Sequence, residues 1–300
     1  MRGAIAVVML ALCAACGTAP VAVVPGSGTP VPACHPYQGF EVIAEKAESH
    51  IVVFGEAIHG TNESPAALFG LACHLAKEGA PVLVGLEAER TFSDELDAFL
   101  DHGDAVRLYG TTSGMWDVHD GRSSQAILLL LQNLAELRAA GLEVSVFAFD
   151  ASSELDYREQ ADWGTVSRDA RMAETVDAAA ARFSGAVLLL TGGFHARKQV
   201  FDFDGTSFVP MATGIQARPV FSLEMRHAGG SGWMIGEVDG KPFMGALDLM
   251  NGLPPDAPVH AFALGAEEPA YDGNTAYWDG VYYTGPITAS PPAFPSRPPS

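Results

Sequence analysis

With 36 acidic against 17 basic side chains in 300 residues, the chain carries a formal charge of −19. That balance excludes binding to nucleic acid or an anionic membrane through a basic surface; it suits a soluble protein with neutral or cationic ligands. The length admits one large domain or two small ones, and the absence of a linker or internal repeat favours one.

The first residues, Met1 to Gly17, read as an export leader: one basic residue, an apolar stretch too short to span a bilayer, then small residues. Small residues before Cys16 match a bacterial lipoprotein cleavage site, with residues 1–16 removed up to a lipidated Cys16. Cys13 stands where an aliphatic residue is usual, so cleavage without lipidation is the alternative. Residues 17–32 are rich in Pro, Gly and Val and read as a tether. A single α/β domain is expected over 33–285, then a Pro-rich irregular tail over 286–300. Beyond the leader only Cys34 and Cys73 remain. An oxidising compartment favours their pairing, worth roughly 4 kcal/mol by chain entropy, and two separate buried thiols are the alternative.

The apolar run Ile51 to Phe54 opens into Gly55-Glu56-Ala57-Ile58-His59-Gly60-Thr61, a Gly-bounded turn with a carboxylate and an imidazole three residues apart. Such a pair supplies a general base with its orienting partner, or two metal ligands. Three more apolar runs end similarly. Pro81 to Leu86 meets Glu87, with Arg90 close behind; Val144 to Phe149 meets Asp150; Ala186 to Leu190 leads through Gly192 and Gly193 to His195, Arg197 and Lys198. Short Val/Leu-rich runs suit strands covered on both faces. Helical stretches from about Glu63 to Glu78, Ser124 to Ala140 and Val166 to Phe183 separate them. The alternation predicts a three-layer α/β/α fold with a mainly parallel central sheet. Ligands of such sheets bind at the carboxyl ends of the strands, so Glu56, His59, Glu87, Asp150 and His195 are expected on one rim.

Glu87 needs a partner there, and Arg90 or a histidine is at hand. Asp150 either orients an imidazole or caps the segment that follows it. Arg168 opens the third long helix and reaches toward the rim, while Asp169 suits the helix dipole. Trp116 and His119 share a loop with two acids; Trp116 is either a substrate platform or local packing. His74 lies inside the first helical stretch, His102 follows the short helix Asp94 to Leu100, and His227 and His260 have no evident partner. A Gly-x-Ser-x-Gly elbow, a phosphate-binding Gly-x-x-x-x-Gly-Lys loop, a dinucleotide fingerprint and a His-Glu-x-x-His helix are all missing. Water activated by a carboxylate/histidine set remains, or a metal or haem held by that set.

Gly55-Glu56-Ala57-Ile58-His59-Gly60-Thr61-Asn62-Glu63 resembles the Gly-Glu-Ala-Thr-His-Gly-Thr-x-Glu motif of the erythromycin esterases. Leu86-Glu87 and Gly193-Phe194-His195-Ala196 resemble further motifs of that family and of the wider superfamily with the ChaN-like haem-binding lipoproteins and the Tiki/TraB proteases. The similarity runs from about Val52 to Lys198. Ile58 in place of Thr and the lack of a helical insertion over the cleft depart from the esterases. The resemblance implies a cleft in which His59 activates water, with Glu56, Glu87 and His195 assisting and no metal required. In the Tiki-like relatives the matching positions hold a divalent metal, and the ChaN-like members bind haem. The leading expectation is an envelope-anchored hydrolase of an ester or amide in a small molecule or peptide. His59 would be its base, oriented by Glu56; Glu87 and His195 would position the reactants or stabilise the oxyanion, and Arg90 would hold Glu87. The alternative is a haem or metal carrier using the same four residues.

Overall fold

The computed structural model describes residues 33–35, 37–151, 165–203, 205–238, 241–249, 259–263 and 276–294. The expected leader, Cys16 and the tether lie outside these residues. From Phe40 the chain alternates helix and strand: α1 (Phe40–Ala47), β1 (Ile51–Glu56), α2 (Glu63–Lys77) and β2 (Val82–Glu89). A 3₁₀ turn (Arg90–Phe92), α3 (Ser93–His102), α4 (Ala105–Thr111), α5 (Ser113–Trp116) and α6 (Gln125–Ala139) precede β3 (Val144–Asp150). Next come α7 (Thr165–Ala180), β4 (Ala186–Gly192) and the single turn α8 (Gly193–Ala196). The remainder is mostly strand: β5 (Phe201–Phe203), β6 (Thr206–Phe208), α9 (Met211–Gly214), β7 (Val220–Arg226), β8 (Gly230–Val238), β9 (Lys241–Leu249), β10 (His260–Ala263) and β11 (Gly280–Tyr283).

Seven strands form one sheet in the order β10-β11-β7-β1-β4-β2-β3. All neighbours are parallel except β10 and β11. Every residue of β1 is buried, as a strand covered on both faces requires. Its alternate side chains serve two separate cores. Val52 and Phe54 pack with α1, α2, α3 and α6; Ile51 and Val53 pack with Met172, Ala173 and Val176 of α7. Each such side chain contributes roughly 1.5–3 kcal/mol by leaving water. The two helical layers and the sheet make the three-layer α/β/α architecture expected from the alternation. No helix among the described residues is long and apolar enough to cross a membrane.

Two features at the strand ends shape the rim. On β2, Leu86 pairs with Ala148 and Glu89 with Asp150, so three steps on β2 span two on β3. Glu87 and Ala88 lie inside that bulge, opposite Phe149, and such a bulge re-aims the side chains it carries, Glu87 among them. The second feature is the locking of the turn after β1. Gly60, with a φ of +74°, and Gly121, with a φ of +98°, approach so closely that a Cβ on Gly121 would lie 2.4 Å from the Gly60 nitrogen. Only glycine fits either place. The Gly60 carbonyl then accepts from Trp233 N of β8 (2.9 Å) and from Ser290 N (2.8 Å).

Three expectations need correction. The domain does not end at 285: isolated bridges tie Ile287, Ala289 and Pro292 to Gly230, Thr61 and Ser124, and Phe294 is buried against Tyr109 and Trp116. Apolar side chains placed between the prolines drive that packing, although the segment forms no regular element. Trp116 is no platform, being wholly buried with its indole N–H donating to Thr112 Oγ1 at 2.9 Å. The guanidiniums on Glu87 are those of Arg122 and Arg168 rather than that of Arg90, which begins the 3₁₀ turn after β2. Cys34 and Cys73 form a disulfide that ties the start of the domain to α2.

Candidate active site

Because β4 lies between β1 and β2, the ends of β1, β4, β2 and β3 present Glu56, His195, Glu87 and Asp150 in one row. Glu56, the last residue of β1, is buried, and its Oε2 accepts from His59 Nδ1 at 2.8 Å. That bond fixes the ring so that Nε2 points across the strand ends toward Glu87 Oε2, 3.7 Å away. The imidazole is about a quarter exposed, at 24%. Gly192 lines its other side, and a Cβ there would lie 3.1 Å from His59 Nε2.

Glu87, at 4% side-chain exposure, is the hub. Its Oε2 accepts from Thr191 Oγ1 and Gly192 N, both at 2.7 Å. Its Oε1 accepts from Arg168 Nη2 at 2.9 Å and Arg122 Nη1 at 3.1 Å. Burial works against its charge, but the imidazoles of His195 and His59 and the guanidiniums of Arg122 and Arg168 hold it well below the usual carboxylate range. Asp150 bridges the same two arginines, at 2.6 Å from Arg168 Nη2 and 3.2 Å from Arg122 Nη1. It also accepts from Ala151 N at 2.7 Å. Its partners are thus guanidiniums and the backbone rather than an imidazole.

The imidazole of His195 is oriented by Asp169, whose Oδ1 accepts from Nδ1 at 2.8 Å and from Met211 N at 2.7 Å. The pairing holds α7, α8 and α9 together at the rim. Arg168 Nη1 lies 3.2 Å from His195 Nε2. An arginine only donates, so this contact is a hydrogen bond in the Nδ1–H form that also donates to Asp169.

His59 is the group most displaced from its ordinary titration. Burial would lower its pKa, but the negative charges of Glu87 and Glu56 outweigh burial and push it up to about 9. At neutral pH the resting ring is therefore an imidazolium.

Two cavities flank this cluster. One of about 350 Å³ is lined by Glu56, Ile58, His59, His195, Arg197 and Trp278. The other, about 330 Å³, is lined by Glu87, Phe92, Met115, Val118, Arg122 and Arg168. A larger hollow of about 960 Å³ beside Lys46, His50 and Arg218 contains none of the cluster's residues.

The four expected site residues, Glu56, His59, Glu87 and His195, converge, and Arg168 joins them. Arg122 and Asp169 were not foreseen in these positions. Arg122 follows the loop through Trp116 and Gly121 without any local signal of its role; Asp169 has helix-start chemistry that says nothing of His195.

The donor set does not fit a metal. Both Glu87 oxygens already take two hydrogen bonds each, and two guanidiniums stand where a cation would need only anionic or neutral ligands. Haem iron approaching His195 Nε2 would meet the Arg168 guanidinium, whose Nη1 lies 3.2 Å from that nitrogen. Among the described residues no group of three or more His, Cys, Asp or Glu is placed to hold an ion.

No family model and no curated protein matches the chain. Solved structures do share its fold. A mutant of the erythromycin esterase EreC in its open conformation superposes with a TM-score of 0.60 at 12% identity, covering 86% of this chain and 95% of that one. A succinoglycan biosynthesis protein gives 0.56 at 10% identity, covering 89% and 96%. A Bacillus cereus protein gives 0.51 at 12% identity, covering 84% and 92%. The chain therefore has the α/β fold of these proteins, the erythromycin esterase among them.

Proposed function

We propose that the protein is a hydrolase of an ester or amide in which His59, oriented by Glu56, moves the proton. The observation that carries this reading is the Glu56–His59 pair at the end of β1, its Nε2 beside a cavity of about 350 Å³ also lined by His195. The fold likeness to an esterase is consistent with hydrolysis. In the reaction, neutral His59 takes a proton from water as the oxygen adds to the carbonyl carbon. The positive charge of Arg168 beside His195 stabilises the oxyanion, and His59 returns the proton to the leaving alcohol or amine. Glu87 acts as a fixed anion that keeps both arginines and the imidazole in place.

On this reading His59→Ala and His195→Ala each lower kcat/KM by ~10²–10⁴-fold with the fold retained. The double variant is little worse than either single one, because groups acting as a unit lose activity non-additively. His74→Ala, on α2 against the ring of Phe40, stays within a few-fold of wild type. A panel of esters and short amides provides the assay; independent, multiplicative losses would refute a shared site. We also propose that Cys16 anchors the protein in the cell envelope. Cys16→Ser should release it from membranes, and unchanged fractionation would refute the anchor.

A further inference from the structure

Arg197 follows α8 and lines the same cavity as Glu56, His59 and His195. Its guanidinium carbon lies 4.1 Å from the centroid of the Phe201 ring, 4.9 Å from Phe194 and 5.0 Å from Tyr277. Among the described residues this guanidinium makes no ion pair, and its Nε is buried without a hydrogen-bond partner. Its neighbours are treated differently: Arg122 and Arg168 sit on carboxylates, and Lys198 reaches Asp279 at 2.6 Å. Glu56, an acid of the same cavity lining, pairs with His59 instead.

An acidic chain has carboxylates to spare, so a guanidinium surrounded by rings instead is unusual. The rings attract the positive charge and cover its faces, leaving its N–H groups in the guanidinium plane. That planar fork matches the two oxygens of a carboxylate or phosphate. A buried donor without an acceptor is costly until something answers it. The acidic exterior does not cancel the attraction, because exposed charges are screened within about 8–10 Å at physiological salt.

We propose that Arg197 is the receptor for an anionic group on the substrate, so that the hydrolysed ester or amide carries a carboxylate or phosphate. This inference rests on the hydrolase reading of the cleft and narrows its substrate class. Phe194, Phe201 and Tyr277 hold the guanidinium in position, and the residue selects substrate without moving a proton.

The test uses the full chain and three small probes: methyl butyrate, monomethyl succinate and methyl 3-phosphonopropionate. Calorimetric titration is made in the His59→Ala background, so that no probe is consumed. At least one anionic ester should bind about 10- to 100-fold more tightly than methyl butyrate, the range for a hydrogen-bonded charge. Whichever anion is preferred identifies the group. Adding Arg197→Gln should abolish the preference, and Arg197→Lys, which keeps the charge but loses the fork, should retain part of it. Circular dichroism checks that each variant folds; if the Gln variant does not, the Lys variant decides. Equal binding of all three probes, or a preference untouched by substitution in a folded variant, overturns the proposal. Hydrolysis of the same esters by the wild type, followed by pH-stat, separates the two ideas. Turnover without an anionic preference sinks the Arg197 proposal and leaves the hydrolase. Arg197-dependent binding without turnover of any ester does the reverse.

Discussion

Between Glu56 and Glu87, His59 meets two negative charges within 3.7 Å, and this sets its chemistry. Its folded pKa, about 9, exceeds the ordinary 6.5, so its charge stabilises the fold fully below about pH 6.5, and the contribution is lost as pH rises through about 9. Glu87 behaves oppositely: its depressed pKa contributes stability above the ordinary carboxylate value of 4.5 that disappears as pH falls. As a base, His59 must first shed a proton, so kcat/KM should climb about tenfold per pH unit and level off near pH 9. Glu87→Gln removes the largest charge that raises this pKa and should move the plateau to lower pH. A pH–rate profile with NMR titration of the ring decides the matter; a rate that falls with pH would make His59 an acid. Glu56, His59, Glu87 and His195 were legible in the sequence because each lies within a few residues of the end of an apolar run. Arg122 and Asp169 were not, since Glu87 and His195, which they meet at the rim, lie 35 and 26 positions away from them. Arg90 misled for the converse reason: it is close to Glu87 in sequence, but the guanidiniums on Glu87 come from Arg122 and Arg168.

Among the elements, the four strands β1 to β4 could be read from sequence because burial on both faces makes them continuous apolar runs. β8 and β9 could not. They form a separate hairpin whose strands mix Gly, Trp, Met and Glu, and their pairing depends on partners rather than on pattern. The segment after Gly285 was read as a tail because prolines dominate it, yet Ile287 and Phe294 are buried. Phe294→Ala should cost about 3–5 kcal/mol, as for other buried aromatic truncations. Denaturant unfolding measures it, and a loss under about 1 kcal/mol would show that the segment is not packed as described. The bulge in β2 was equally hidden, since an extra residue in one strand is defined only by its neighbour.

Over the whole molecule, the Cys34–Cys73 bond crosses a sequence separation of 39 and joins the first described residues to α2. Cys34→Ser should lower unfolding stability by roughly 4 kcal/mol, with less if the reduced chain keeps residual structure. Comparing that variant with wild type under oxidising conditions gives the value, and no difference would mean that the bond constrains nothing in the unfolded state. The two late hydrogen bonds on the Gly60 carbonyl affect the protein before it is complete. The turn bearing His59 is synthesised before the groups that fix its neighbour, Trp233 N and Ser290 N, which come much later in the sequence. β7, beside β1, is also late. A nascent or interrupted chain therefore has its acid and imidazole in sequence without the geometry to use them. On the hydrolase reading, a product terminated before Trp233 lacks both bonds and is expected to be inactive.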